Sequence, residues 1–252
     1  MNEALQHVAK VALSLFGVVA VWQLLSSLNL VNPTLFPSPI AVWRAAVDLF
    51  QSGVFFSDLA VSVGRAAVGF AIGATLGIVV GLLTSRTRVF HLMLNPLFTI
   101  LRPIPAIALA PVAIVWFGIG EGSKYFVIAY TVFLSVWLNT HHGMEHVATL
   151  YIRAARSLGA SRFREFVMVV IPASAPHIFA GLRLGAALAF LSLVAAELTG
   201  ASAGIGYRLQ EARQFILMDR MFVGLIELGI LGALVDTAFV LMSRRLIHWE
   251  QS

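Results

Sequence analysis

Twenty consecutive residues, Ala66 to Ser85, carry no formal charge and are almost all apolar or small. As a helix rising about 1.5 Å per residue, this run matches the roughly 30 Å hydrocarbon thickness of a bilayer. In hydrocarbon every backbone amide needs an internal partner, so a lone crossing segment must be helical. The same constraint recurs along the chain: Val11 to Trp43 is also uncharged, and 59% of the 252 residues are hydrophobic against 12% charged. Soluble domains carry about 25% charged residues. The sequence is therefore that of an all-α integral membrane protein.

Hydropathy predicts about six transmembrane helices, at 10–29, 58–84, 92–117, 125–142, 177–198 and 221–242, in a single domain over 1–252. The first lacks the short core and cleavage site of a signal peptide, so it reads as a retained helix. The third holds Pro96, Pro103, Pro105 and Pro111. Proline removes backbone donors, so this span is expected to be kinked or partly broken. With the N-terminus inside, the inner segments carry nine Lys and Arg and the outer segments five, with Arg65, Arg102 and Arg183 inside spans. That bias predicts both termini in the cytoplasm and accounts for the net charge of +5 without invoking nucleic acid. The two larger outer segments are 30–57, with an amphipathic piece from Ile40 to Phe50, and 199–220, a glycine-rich turn followed by a short helix.

In the second span Gly69, Gly73, Gly77 and Gly81 recur every four residues and form a smooth helical groove. Small residues let backbones approach closely where lipid gives no hydrophobic drive. The groove serves either packing within the chain or a seam between two copies.

The longest inner loop, about 143–176, contains "AARSLGASRFREF". Leu150, Ala154, Ala155 and Leu158 share one side of a short helix, with Arg153 and Arg156 off that side. Gly159 suits the left-handed residue that ends a helix, and Ser161 can cap a second one running to Ile171, where Pro172 is expected to stop it. Physics alone leaves two readings: a solvated basic loop at anionic headgroups, or a helix–glycine–helix that meets a partner.

"YIRAARSLGASRFREFVMVVIP" resembles the EAA loop of permease subunits of binding-protein-dependent ABC importers. That signature is EAA, three residues, Gly, and later a hydrophobic residue before Pro. Ala154, Ala155, Gly159 and Pro172 match, while Arg153 stands where the general motif has Glu, a departure common in the sulfonate, taurine and nitrate branch. "LRPIPAIALAPVAIVWFGIGEGSK", "LVAAELTGASAGIGY" and "LFPSPIAVW" resemble the same branch. The resemblance implies the type I importer permease fold and a homodimer in the bacterial cytoplasmic (inner) membrane. Two ATP-binding cassette ATPase subunits would bind ATP and Mg, and an extracytoplasmic binding protein would deliver a small anion. It also implies that Arg153, Ala154, Ala155, Arg156, Gly159, Ala160, Ser161 and Pro172 lie in a coupling helix region seated in an ATPase groove.

Other features exclude functions. "GIGEGSK" fails the phosphate-loop pattern because Ser123 sits where glycine is required, so the chain is not expected to hydrolyse ATP. With no cysteine, disulfides, thiolate catalysis and Cys-based metal sites are excluded. His141, His142 and His146 lack a Cys or carboxylate pattern to complete a metal site and read as polar residues at a helix end. No catalytic, cofactor-binding or metal residue is expected. The competing class, an ion-gradient-coupled secondary transporter, is disfavoured because six spans without an inverted repeat is short for it.

Charges within spans are costly and usually face protein or a cavity. By depth, Arg102, Arg183 and Asp236 form one set and Arg65, Glu197 and Glu227 another, and pairing is expected within each. Snorkelling is the alternative for Arg183 and Arg65. Anion transport would favour Arg65 or Arg102 facing the pathway.

Overall fold

A computed structural model describes residues 2–28 and 32–246. Asn29, the last residue of the expected first span, falls outside them, as do residues 30 and 31 and the C-terminal 247–252. The described residues form helices α1 (Asn2–Ser27), α2 (Pro39–Gln51), α3 (Val54–Arg86), α4 (Arg88–Leu101), α5 (Ala106–Phe117) and α6 (Glu121–Glu145). They continue as α7 (Thr149–Ser157), α8 (Arg162–Glu165), a π turn (Phe166–Val170), α9 (Ile171–Gly200), α10 (Ile205–Gln214) and α11 (Met218–Leu246).

α6 is the central helix, and α3 and α9 pack along it. Val127, Ile128, Val132, Val136 and Trp137 are at most 1% exposed. The glycine groove on α3 faces this helix. A methyl group at Gly69 would stand 2.6 Å from Ile128 Cβ, at Gly77 2.8 Å from Val136 Cβ, and at Gly81 2.6 Å from Thr140 Cβ; at Gly73 it would overlap the Ala129 carbonyl. The four glycines are thus occupied by packing within the chain, which leaves them no free groove for a second copy.

Among the described residues three helical segments are long and apolar enough to cross a bilayer: Val54–Arg86, Arg162–Gly200 and Met218–Arg245. α4 and α5 add a fourth only if taken together, since they bend by 106° between them. The span at 92–117, expected to be kinked or partly broken, is two helices joined through Arg102–Pro105. The Pro105 ring has no N–H to continue a helix, and proline disfavours helical geometry in the residue before it. α6 does not reach the apolarity of a lipid-facing span. Its buried Ser123, Lys124, Ser135, Thr140 and His141 are surrounded by protein instead.

Pro172 does not end a helix. α8, the π turn and α9 are consecutive, so Arg162–Gly200 is one helical rod of 39 residues. Pro172 sits at the start of α9, where its missing N–H is tolerated because the wider π turn has already interrupted the regular ladder. At the other end of the chain, Ser38 caps α2, accepting from the Ala41 amide at 3.1 Å, with Pro39 in the first turn. α2 buries Val42, Ala45 and Leu49 against Val223 of α11.

Candidate functional site

Three polar assemblies interrupt the apolar fold. The first lies at the N-terminal end of α3. Asp58, Ser62 and Arg65 fall on the same face as the glycine stripe and are buried. Arg65 donates from Nε and Nη2 to both carboxylate oxygens of Glu121 at 2.7 Å, and from Nη1 to Glu197 Oε1 at 2.8 Å and the Ala203 carbonyl at 2.6 Å. Glu197 also accepts from Ser62 Oγ at 2.8 Å and the Gly206 amide at 2.8 Å. The Gly204 amide donates to Asp58 at 2.8 Å, and the Ile205 amide to Ser62 Oγ at 2.8 Å. Three successive amides of the glycine-rich turn are therefore satisfied by α3 and α9 side chains, as buried polar groups must be. Gly204 has φ +115°, and a Cβ there or at Gly206 would collide with Glu197, so this close approach requires glycine at both positions.

Arg208 of α10 extends the assembly to Glu227 and, at 3.6 Å, to Asp58. Glu227 is therefore neutralised by α10 and not by Arg65, because α10 folds back beneath the turn and inserts its guanidinium between α3 and α11. Depth along the span correctly joined Arg65 to Glu197 but said nothing of Glu121, Asp58 or Arg208. The spacing of Asp58, Ser62 and Arg65 on the glycine face was the signal that could have drawn Asp58 and Ser62 into it. In the other set, Arg183 pairs with Asp236 at 2.5 and 2.8 Å, both half-exposed.

The second assembly is a cavity of about 590 Å³ at the break between α4 and α5. It is lined mainly by apolar side chains of α5, α6 and α9, with Arg102, Tyr130, Thr131, Ser135 and Asn139 among its polar walls. Arg102 has no acidic partner among the described residues, unlike the other five intramembrane charges. The hydroxyl of Ser135 is buried there with no hydrogen-bond partner.

The third is the loop after α6. α7 runs from Thr149 and is held by no buried residue of its own. Gly159 takes φ +80°, and Ser161 caps α8 by accepting from the Arg164 amide at 3.3 Å. Arg156 grips Glu165 through two hydrogen bonds, of 2.7 and 3.1 Å, clamping α7 to α8 across the turn. That contact holds the Glu165 carboxyl below the ordinary carboxylate range and raises the Arg156 guanidinium. Arg86 at the end of α3 donates to the Arg162 carbonyl at 3.3 Å and lies over the Phe166 ring at 5.0 Å. Around this rigid turn, Leu150, Tyr151, Leu158 and Phe163 stand 58–89% exposed. Ala154, Ala155 and Pro172 line a shallow apolar groove between α7 and the start of α9. Arg153, Ala160 and the cap Ser161 lie on the same module.

Of the histidine trio, only His141 is buried, and the fold sets it beside His91 and Glu145 while His142 and His146 lie outside that group.

The described residues thus form a helical membrane core with an apolar-tipped loop and a largely apolar cavity that has a few polar walls, a frame that suits a membrane permease. Residues 73–248 match the family described as binding-protein-dependent transport system inner membrane component, and the chain belongs to that family. It is a multi-pass protein of the inner membrane and a transporter subunit, not a catalytic enzyme. The putative aliphatic sulfonates transport permease protein SsuC of Bacillus subtilis (strain 168) is 37% identical over 93% of this chain and 85% of its own length. The taurine transport system permease protein TauC of Escherichia coli (strain K12) is 32% identical over 92% and 86%. The nitrate import permease protein NrtB of Synechocystis sp. is 32% identical over 97% and 91%. An inward-facing structure of the MetNI methionine ABC transporter superposes with a TM-score of 0.64 at 20% identity, over 73% of this chain and 92% of that one, a likeness of fold.

Proposed function

We propose that this permease forms, with a second copy, the membrane path of an ATP-driven importer for a small anion of the sulfonate, taurine or nitrate kind. Two separate ATPase subunits bind ATP and Mg and engage the loop at 149–172. A binding protein delivers substrate on the opposite side. With both termini cytoplasmic, that loop lies on the side of the ATPases.

The observation that carries this reading is the coupling loop. Its turn is rigidly built, yet Leu158 is 89% exposed and Phe163 76% exposed. Isolated exposed apolar residues are ordinary, but a preorganised pair beside an apolar groove suits a partner's cleft. For the substrate, Arg65 is excluded as a pathway cation because two carboxylates and a carbonyl already saturate it. Arg102, without an acidic partner among the described residues and lining the same cavity as the free Ser135 hydroxyl, is the group that suits an anion in transit.

Two measurements test the reading. Gly159→Asp is expected to leave the protein in the membrane while abolishing co-purification of the ATPase, since it strains the left-handed turn and sets a charged side chain against the partner's groove. Wild-type ATPase binding by that variant would sink the coupling role. In reconstituted vesicles with the binding protein, Arg102→Ala is expected to slow anion uptake about 10- to 100-fold, the scale of one lost charge-assisted hydrogen bond. Unchanged uptake removes Arg102 from the path.

A further inference from the structure

The hydroxyl of Thr84 contacts a buried histidine. Thr84 Oγ1 lies 2.9 Å from the Val80 carbonyl, 3.2 Å from the Trp137 indole nitrogen and 3.1 Å from His141 Nδ1. The indole can only donate, and the hydroxyl has one hydrogen, for the Val80 or Gly81 carbonyl or for Nδ1. A metal on Nε2 requires the first arrangement, in which Oγ1 accepts from both rings and His141 carries its proton on Nδ1. Its Nε2 presents a lone pair in the opposite direction. That lone pair stands 3.4 Å from the Glu145 carboxylate oxygen Oε1. Two such atoms come together only with a proton or a metal ion between them.

His91, on the first turn of α4, stacks on the His141 ring with centroids 5.1 Å apart. One ligand atom each from His91, His141 and Glu145 lie within 4.8 Å of one another. We infer that these three residues form a binding site for a divalent transition metal of the zinc class, with His141 as its rigid anchor. Two imidazoles and a carboxylate leave a fourth position open, and the Nδ1–H···Thr84 bond is the outer-shell contact that orients a metal-bound histidine. Nitrogen donors disfavour magnesium and calcium, which take oxygen ligands. Tetrahedral bonds of about 2.0–2.1 Å put ligand atoms about 3.4 Å apart, so the cluster must contract by about 1.4 Å at most. His91 is half-buried and Glu145 is exposed, so both side chains are free to make that adjustment. The site joins α4 to the last turn of α6, one short connection before the coupling helix α7. A bound ion therefore braces the root of that helix.

The test uses the full chain, purified in detergent without a polyhistidine tag and titrated with Co²⁺ and with Zn²⁺ alone. One Co²⁺ per chain with the visible absorption of a four-coordinate site is expected, displaced by Zn²⁺. His91→Ala and Glu145→Ala should each weaken Zn²⁺ binding at least 10-fold, and Thr84→Val about 10- to 100-fold. A His142→Ala, His146→Ala double variant should bind as wild type. Where buried His141→Gln fails to fold, the partly exposed His91 and Glu145 variants still decide the matter. No stoichiometric Co²⁺ or Zn²⁺ binding by wild type overturns the site, as does equal binding by His91→Ala and Glu145→Ala. Loss of binding in the double variant instead would move the ion to surface histidines and overturn it as well.

Discussion

The two polar ends of this molecule are built on opposite plans. Glu197 itself is buried and fully answered: the carboxylate takes a serine, an arginine and a backbone amide, and glycine at 204 and 206 leaves room for it to do so. In the coupling loop one Arg–Glu clamp holds the turn, and the apolar residues it positions face outward. The first assembly fastens the 199–206 turn to α3 and α9. The second leaves its apolar side chains uncovered in this chain. Burying charge without a full set of partners is costly, so a saturated cluster marks an anchor. A preorganised but uncovered surface marks a contact.

The largest effect that separates the two plans is expected from Glu197→Ala. It leaves Ser62 and the Gly206 amide without their acceptor and Arg65 with one carboxylate fewer. Removing one partner of a buried ion pair costs about 3–5 kcal/mol. The melting temperature in detergent should fall by roughly 2–4 °C for each kcal/mol. A shift under a few degrees would show that the anchor is not one. The next effect lies between the two ends. Gly73→Ala forces a methyl into the Ala129 carbonyl, and overpacking of this kind costs about 1–3 kcal/mol. If that variant melts normally but loses self-association, the stripe is a seam between copies after all.

Much of this architecture could be read from the residues alone. The helix–glycine–helix of the loop was legible because its rules are local: Gly159 in the left-handed region and Ser161 as a cap are decided within four residues. The interruption of the proline-bearing 92–117 span, though not its place at Arg102–Pro105, and the amphipathic α2 were legible for the same reason. Partners were harder. Arg65 and Glu197 were matched by depth, yet Arg208 reached Glu227 because α10 folds beneath the turn, which no periodicity records. The continuation through Pro172 was hidden because a π turn has no composition of its own. The ordinary stop rule for proline assumes a regular helix before it. His91 and Glu145 were missed around His141 because the cluster depends on how α4 returns against α6.

The coupling clamp is expected to respond to acid and to nothing milder. Glu165 is held below the ordinary carboxylate range by Arg156, so the stability it contributes is fully present above its unfolded-state pKa, about 4.3. It is lost only as pH falls through the lowered value. Amide exchange, corrected for its intrinsic pH dependence, should therefore show unchanged protection at 162–166 between pH 8 and pH 5. Glu165→Gln should lose that protection already at neutral pH. Equal protection in the two proteins would mean that the serine cap alone holds α8.

The smallest effect on stability is also the sharpest test of the contrast. Leu158 is 89% exposed and buries nothing in this chain, so Leu158→Asp should change the melting temperature negligibly; surface substitutions stay within about 0.5 kcal/mol. A partner that covers this side chain loses its apolar contact and must also desolvate a carboxylate. A few kcal/mol at such a point lowers affinity 10- to 1,000-fold, about 1.4 kcal/mol per decade. ATPase association and ATP-driven uptake should then fail in a protein that melts like the wild type. Glu197→Ala should do the reverse, melting early while its loop still captures the ATPase at low temperature. If both variants lose stability and association together, the two ends are one cooperative structure and the division between anchor and contact is wrong.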